Sequence, residues 1–222
     1  MFSTPIRAIA FDLDGTLVDS LTDIAAAANA ARAELGLAPL ADSRVRGFIG
    51  DGSAMLMART AQDDPHAQVD DSPLQIAARA HFNQHYARVV AEHTRPYPGA
   101  VEGLQALAAL GLPLACVTNK PIAFTTPLLA ALDLAQYFQL VLGGDSLAAK
   151  KPDPLPLAHV AQALAVAPAQ LLMVGDSKND VLAARAHGSP VLAVSYGYTA
   201  SASALGADAV IDRIDQMVAL LG

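Results

Sequence analysis

Charge is scarce in this chain, and sulfur is scarcer. Only 16% of its residues are charged while 53% are hydrophobic, a balance that argues against disorder and lets a sizeable core form. The 14 Lys and Arg residues are outnumbered by 21 Asp and Glu, for a net charge of -7 at pH 7. Binding to a nucleic-acid backbone needs basic patches, so no nucleic-acid partner is expected. A small anionic substrate stays open, because a few local donors or a metal suffice to hold it. The lone cysteine, Cys116, rules out an intramolecular disulfide, and its place in the apolar run 113–117 reads as a buried structural thiol. No long apolar stretch precedes Asp12, and no window of about 18 apolar residues runs uninterrupted. No secretory leader and no membrane partner are therefore expected, and the predicted location is cytoplasmic. The six histidines lack metal-ligand spacing; His81 and His85 stand four apart on a predicted helix, but without an HExxH motif.

What is present is well ordered along the chain. Strand-like apolar runs recur at 6–11, 113–117, 140–142, 171–174, 191–194 and 209–211. From Val101 onward they alternate with helical patterns: Val101, Leu104, Leu107 and Ala108 share one face, as do Leu157, Val160, Ala161 and Leu164. Strand–helix alternation predicts an α/β fold with a parallel sheet covered by helices. Residues 18–94 break this rhythm and read as helices. Ser20 is a candidate cap with Asp23 three residues on, Leu21, Ile24, Ala25, Ala28 and Leu35 line one face, and Gly36 stops the helix. Ser72-Pro73 opens a second long helix with Leu74, Ala78, Phe82, Tyr86 and Val89 at helical spacing. The acidic stretch 63–71 reads as a solvated loop, and Arg95-Pro96-Tyr97-Pro98-Gly99 as a stiff linker. The expectation is an α/β core of residues 1–17 and 95–222 interrupted by a helical domain of 18–94.

Four segments carry chemistry. Asp12-Leu13-Asp14-Gly15-Thr16 sets two carboxylates at the end of the first strand, where open α/β sheets bind ligands. A nucleophilic carboxylate beside a proton donor can split a phosphate ester by a covalent route, although a plain turn uses the same residues. Gly15 lets backbone approach a phosphate, and Thr16 either donates to it or satisfies the turn. Thr118-Asn119 ends another strand with a hydroxyl and an amide, which can bind phosphate oxygens or cap the next helix. Lys150-Lys151-Pro152 offers an ammonium in an extended loop, either neutralising charge at the reacting centre or facing solvent. Asp176 and Asp180 follow Gly175 at the end of a further strand. They are hard oxygen ligands suited to Mg²⁺, or else acids at a helix start. Four acids at strand ends of one sheet favour a shared metal site over four separate caps.

Together, and in this order along the whole chain, segments 12–16, 118–119, 151–152 and 175–180 resemble the haloacid dehalogenase-like hydrolase superfamily. The resemblance implies a Rossmann-like parallel sheet core, an inserted α-helical cap domain and Mg²⁺ as cofactor. It implies Asp12 as the nucleophile, Asp14 as the acid/base and Lys151, directly before Pro152, as the charge-neutralising lysine. Thr118 and Asn119 would bind phosphate with Gly15 and Thr16. Asp12, the Asp14 carbonyl and Asp176 would hold the metal, with Asp180 ligating it or supporting it through water. Stretches 11–20, 46–52, 143–154, 175–180 and Tyr196-Gly197-Tyr198 resemble one branch of the family. That branch implies dephosphorylation of a small metabolite, 2-phosphoglycolate, to glycolate; a monomer or homodimer is expected. The carboxylate of such a substrate calls for a cation, with Arg46 and Arg59 as candidates unless they are solvated helix charges. Related phosphatases act on sugar phosphates, muramic acid 6-phosphate or pyrophosphate, and a β-phosphoglucomutase-like mutase would keep every motif. A dehalogenase would not need Asp14. A non-catalytic phospho-acceptor, such as a receiver domain, would lack both the helical insert and the Asp12-x-Asp14 pair.

Overall fold

The computed structural model describes residues 4–221. In chain order the elements are β1 (Ala8–Phe11), β2 (Val18–Asp19), α1 (Leu21–Glu34), α2 (Asp42–Arg46), α3 (Ser53–Gln62), α4 (Pro73–Val89), β3 (Arg95–Pro96), α5 (Ala100–Ala109), β4 (Leu114–Val117), α6 (Ile122–Ala131), β5 (Leu140–Leu142), α7 (Leu155–Ala163), β6 (Leu171–Gly175), α8 (Lys178–His187), β7 (Val191–Val194), β8 (Ala209–Ile211) and α9 (Met217–Leu221). The chain divides into two compact units. One is Met1–Asp19 with Pro96–Gly222, of which residues 4–19 and 96–221 are described; the other is Ser20–Arg95.

The first unit is built on a six-stranded sheet in the order β5-β4-β1-β6-β7-β8. Every pairing in it is parallel. Strands β1, β4, β6 and β7 are buried along their whole length. That is why they read as unbroken apolar runs: a parallel sheet carries helices on both faces, so neither face can be polar. Ala8, Ala10, Ala115, Val117, Leu171 and Met173 share one hydrophobic cluster with Leu157 and Val160 of α7 and Val181 and Ala184 of α8. The alternate residues Ile9, Phe11, Leu114, Cys116, Leu172 and Val174 face the other way and are equally buried. The α/β class expected from the sequence is the class observed.

The topology fixes where a ligand can go. β1 lies between β4 and β6, and the chain leaves it toward β5 on one side and toward β7 and β8 on the other. Phe11 is level with Cys116 of β4 and with Val174 of β6. The three strands therefore end side by side, at Asp12, Thr118 and Asp176. Such a reversal of strand order leaves a crevice at the carboxyl ends of the strands.

The second unit contains α1 to α4. Ser72 caps α4 as expected, accepting the Gln75 N–H at 3.4 Å ahead of Pro73 in the first turn. Ser20 differs, because it makes no side-chain cap bond. The acid that would complete a capping box is engaged elsewhere. Buried Asp23 accepts the His93 N–H at 2.9 Å, the Thr94 N–H at 2.8 Å and the Thr94 hydroxyl at 2.6 Å. The start of α1 is thereby tied to the chain 70 residues later. Burial raises the Asp23 carboxyl, but the donors from Thr94 and His93 outweigh it and hold the group below its ordinary value. At the other end of α1, buried Arg32 donates to the carbonyls of Ala38 and Thr60 and so joins α1 to α3.

Candidate active site

Asp12 is the first residue beyond β1, and its N–H donates to the Val174 carbonyl at 2.9 Å. Asp176 is the first beyond β6, and Asp180 lies in the first turn of α8. One carboxylate oxygen from each of the three lies within 4.8 Å of the other two. Lys151, on the loop between β5 and α7, reaches into this group. Its Nζ is 2.9 Å from Asp12 Oδ1 and 2.6 Å from Asp180 Oδ1, with the side chain only 2% exposed. Lys151 is therefore not a surface charge. Asp180 takes up the helix-start reading and also faces Lys151. Its Oδ2 accepts the Ser177 N–H at 3.0 Å and the Ser177 hydroxyl at 2.6 Å, capping α8, while its Oδ1 holds Lys151.

One ammonium facing three buried carboxylates leaves an excess of negative charge. Burial pushes Asp12 up to about 6, against the pull of Lys151. Burial, with Asp12 and Asp180 nearby, pushes Asp176 well above the ordinary carboxylate range. For Lys151 burial alone would lower the value, but Asp12 and Asp180 outweigh it and keep the lysine charged. Three hard oxygen donors with too little positive charge among them are a fitting set for a divalent cation.

Two glycines make room for Asp176. A Cβ on Gly15, whose φ is +82°, would overlap the Asp176 carboxylate, and one on Gly197 would overlap the Asp176 side chain. The visible demand for glycine at position 15 is thus Asp176, besides any phosphate. Asp176 Oδ2 also accepts the Tyr198 N–H at 2.6 Å. The Tyr196 hydroxyl donates to the Thr16 carbonyl at 2.8 Å. The Thr16 hydroxyl itself is buried with no hydrogen-bond partner among the described residues.

Asp14 is separately held. Both of its carboxylate oxygens accept from the ammonium of Lys120, at 2.9 and 2.8 Å. Lys120 escaped the sequence reading, although a signal existed: Lys120-Pro121 repeats the Lys151-Pro152 pattern just past a strand end. Thr118 follows β4, donates its N–H to the Leu142 carbonyl at 3.0 Å and accepts the Lys120 N–H on its hydroxyl at 3.2 Å. Asn119 donates its side-chain amide to the Lys151 carbonyl at 2.8 Å, bracing the loop that carries the lysine. Neither residue caps the following helix, because α6 begins at Ile122 with Pro121 in the cap position.

The remaining candidates belong to the helical unit or are inert. Arg46 is exposed in the last turn of α2, in the helical unit. Arg59, in the same unit, is paired with Asp51 at 2.6 Å. His81 and His85 both bond Glu34, at 2.5 Å each. Cys116 is a free buried thiol that burial pushes far from ionisation. Among the described residues no helix is long and apolar enough to cross a membrane.

Residues 6–188 match the haloacid dehalogenase-like hydrolase family. Among curated proteins, the chain is 49% identical to the phosphoglycolate phosphatase of Chromobacterium violaceum, over 97% of this chain and 96% of that one. It is 45% identical to the phosphoglycolate phosphatase of Thiobacillus denitrificans, over 96% of this chain and 94% of that one. Among solved structures, a predicted phosphoglycolate phosphatase from Haemophilus somnus superposes with a TM-score of 0.92 at 32% identity, covering 99% of this chain and all of the other (100%).

Proposed function

This chain belongs to the haloacid dehalogenase-like hydrolase family, and from that premise we propose that it is a Mg²⁺-dependent phosphatase of 2-phosphoglycolate. The observation that carries the reading is the convergence of Asp12, Asp176 and Asp180 on one point around Lys151, at adjacent ends of parallel strands. The names of the full-length relatives support the substrate.

On this reading the Asp12 carboxylate attacks phosphorus, and the ester P–O bond breaks as the Asp12–phosphate bond forms. Asp14, which must enter this step protonated, gives that proton to the departing alkoxide. It then takes a proton from water, which attacks the aspartyl-phosphate and releases inorganic phosphate and free Asp12. Lys151 keeps Asp12 aligned and offsets charge on the transferring group. The Thr118 and Thr16 hydroxyls and the backbone around Gly15 bind phosphate oxygens, with Asn119 bracing Lys151 beside them. Asp12, the Asp14 carbonyl and Asp176 would hold Mg²⁺, and Asp180, whose oxygens already take donors, would support it through water. The cation supplies positive charge that lets Asp12 stay ionised next to the phosphate. The helical unit is assigned the role of a cap, with Arg46 meeting the substrate carboxylate. A cytoplasmic monomer or homodimer fits the reading.

A panel of phosphate esters tests it. Phosphate release should need Mg²⁺, vanish with chelator, and give a kcat/KM for 2-phosphoglycolate well above those for glucose phosphates, muramic acid 6-phosphate and pyrophosphate. Arg46→Ala should lower the 2-phosphoglycolate value selectively. A flat profile would remove the substrate assignment. Release undiminished by chelator would remove the metal, and equal losses on all substrates would remove the role of Arg46.

A further inference from the structure

Each carboxylate of the Asp12-Leu13-Asp14 motif has its own lysine. Lys151 serves Asp12, and Lys120 serves Asp14. Lys120 has no role in the proposed reaction steps, yet it is among the more buried cations of the described residues. Its side chain is 5% exposed and that of Asp14 12%. A charged pair this enclosed must be well formed, since both groups have left water. This one is: a single ammonium reaches both oxygens of one carboxylate, at 2.9 and 2.8 Å.

The base of Lys120 is held as firmly as its tip. Its N–H donates to the Thr118 hydroxyl at 3.2 Å. Its carbonyl accepts the Gly144 N–H at 2.9 Å and the Thr125 hydroxyl at 3.3 Å. Pro121 fixes the backbone on its far side. Gly144 allows this approach, because a Cβ there would overlap the Asn119 carbonyl. A side chain fastened at both ends is what a positioning role requires. The carboxylate it fixes is also the motif acid that stands outside the metal-fitting set of Asp12, Asp176 and Asp180.

We infer that Lys120 is a positioning residue for Asp14. It sorts the two motif carboxylates, holding Asp14 away from the cation-binding set and aimed for proton transfer to and from the departing and attacking oxygens. This rests on the proposed phosphatase reading. It predicts that the role of Lys120 follows the need for an acid and not the shape of the substrate. The test is Lys120→Met and Lys120→Arg, each assayed on 2-phosphoglycolate, on ethyl phosphate, whose alkyl leaving group carries no carboxylate, and on p-nitrophenyl phosphate, whose leaving group needs little protonation.

Lys120→Met should lower kcat on the two alkyl esters by roughly 10–100-fold, a sizeable share of what acid catalysis supplies, and lower p-nitrophenol release in the first turnover far less. Lys120→Arg, which keeps charge and donors, should recover part of the loss. Lys120→Met combined with Asp14→Asn should be no slower than Asp14→Asn alone, because the lysine acts through the acid. That comparison holds even if Lys120→Met is partly destabilised. Equal losses on all three esters would overturn the inference and leave Lys120 a structural residue. A loss on 2-phosphoglycolate alone would also overturn it, because Lys120 would then read the substrate carboxylate. If the unaltered protein released phosphate from none of the esters, the phosphatase reading would fall and this inference with it.

Discussion

Asp12→Asn should lower kcat by about four orders of magnitude or more, with the fold unchanged. The exchange keeps the shape of the side chain and replaces only the attacking oxygen. Lys151 retains Asp180 at 2.6 Å, so no cation is left stranded. The stability of the metal-free protein should even shift in favour of the variant at neutral pH, for a reason visible in Asp12 itself. Its folded value is raised from 3.8 to about 6. A carboxyl raised on folding binds its proton more tightly in the folded state. It therefore weakens the metal-free protein progressively as pH climbs from about 4 to 6, and fully above that. Thermal unfolding in chelator should show the variant's advantage at pH 8 and its disappearance near pH 4. Activity retained by Asp12→Asn would remove the nucleophile, and an advantage growing toward low pH would contradict the charge balance drawn here.

Lys151→Met should be costly in two independent ways. Methionine fills most of the same space without the charge. Asp12 and Asp180 then remain buried with no cation between them, and breaking a buried pair on one side costs about 3–5 kcal/mol. For a chain of this size that corresponds to roughly 10 °C in Tm. The rate should fall by about three orders of magnitude, since the charge facing the transferring group is lost as well. Thermal unfolding and steady-state kinetics on the same preparation read both. A variant within a degree or two of the unaltered protein would show that Lys151 is not the counter-charge of the cluster.

The legible parts of the molecule share a physical character. Continuous apolar runs mark the parallel strands, so 140–142, 191–194 and 209–211 coincide with β5, β7 and β8, although of these only β7 is buried throughout. Acids and hydroxyls directly after such runs lie at strand ends by necessity, which made Asp12, Thr118 and Asp176 readable. What escaped depends on partners distant in the chain. Lys120 meets Asp14 across 106 residues. Asp23 takes the 93–94 backbone instead of capping α1, and nothing local to Ser20 announces it. Asp180 caps α8 with one oxygen and meets Lys151, 29 residues earlier, with the other, a double engagement that the local sequence does not announce. α6 (Ile122–Ala131) carries Pro127 inside it, which hides its helical character from a local reading.

In the proposed reaction Asp12 takes the phosphoryl group and Asp14 moves the proton, and one trapping measurement separates the two roles. Asp14→Asn keeps the backbone carbonyl but removes the base that would activate water. With Mg²⁺ and p-nitrophenyl phosphate, whose leaving group needs little help, the first step should proceed and the second should stall. Acid quenching and mass spectrometry of the peptide spanning residue 12 should then find phosphate on Asp12, approaching one per chain. Steady turnover with no phosphate on the chain, or phosphate on another residue, would contradict the account.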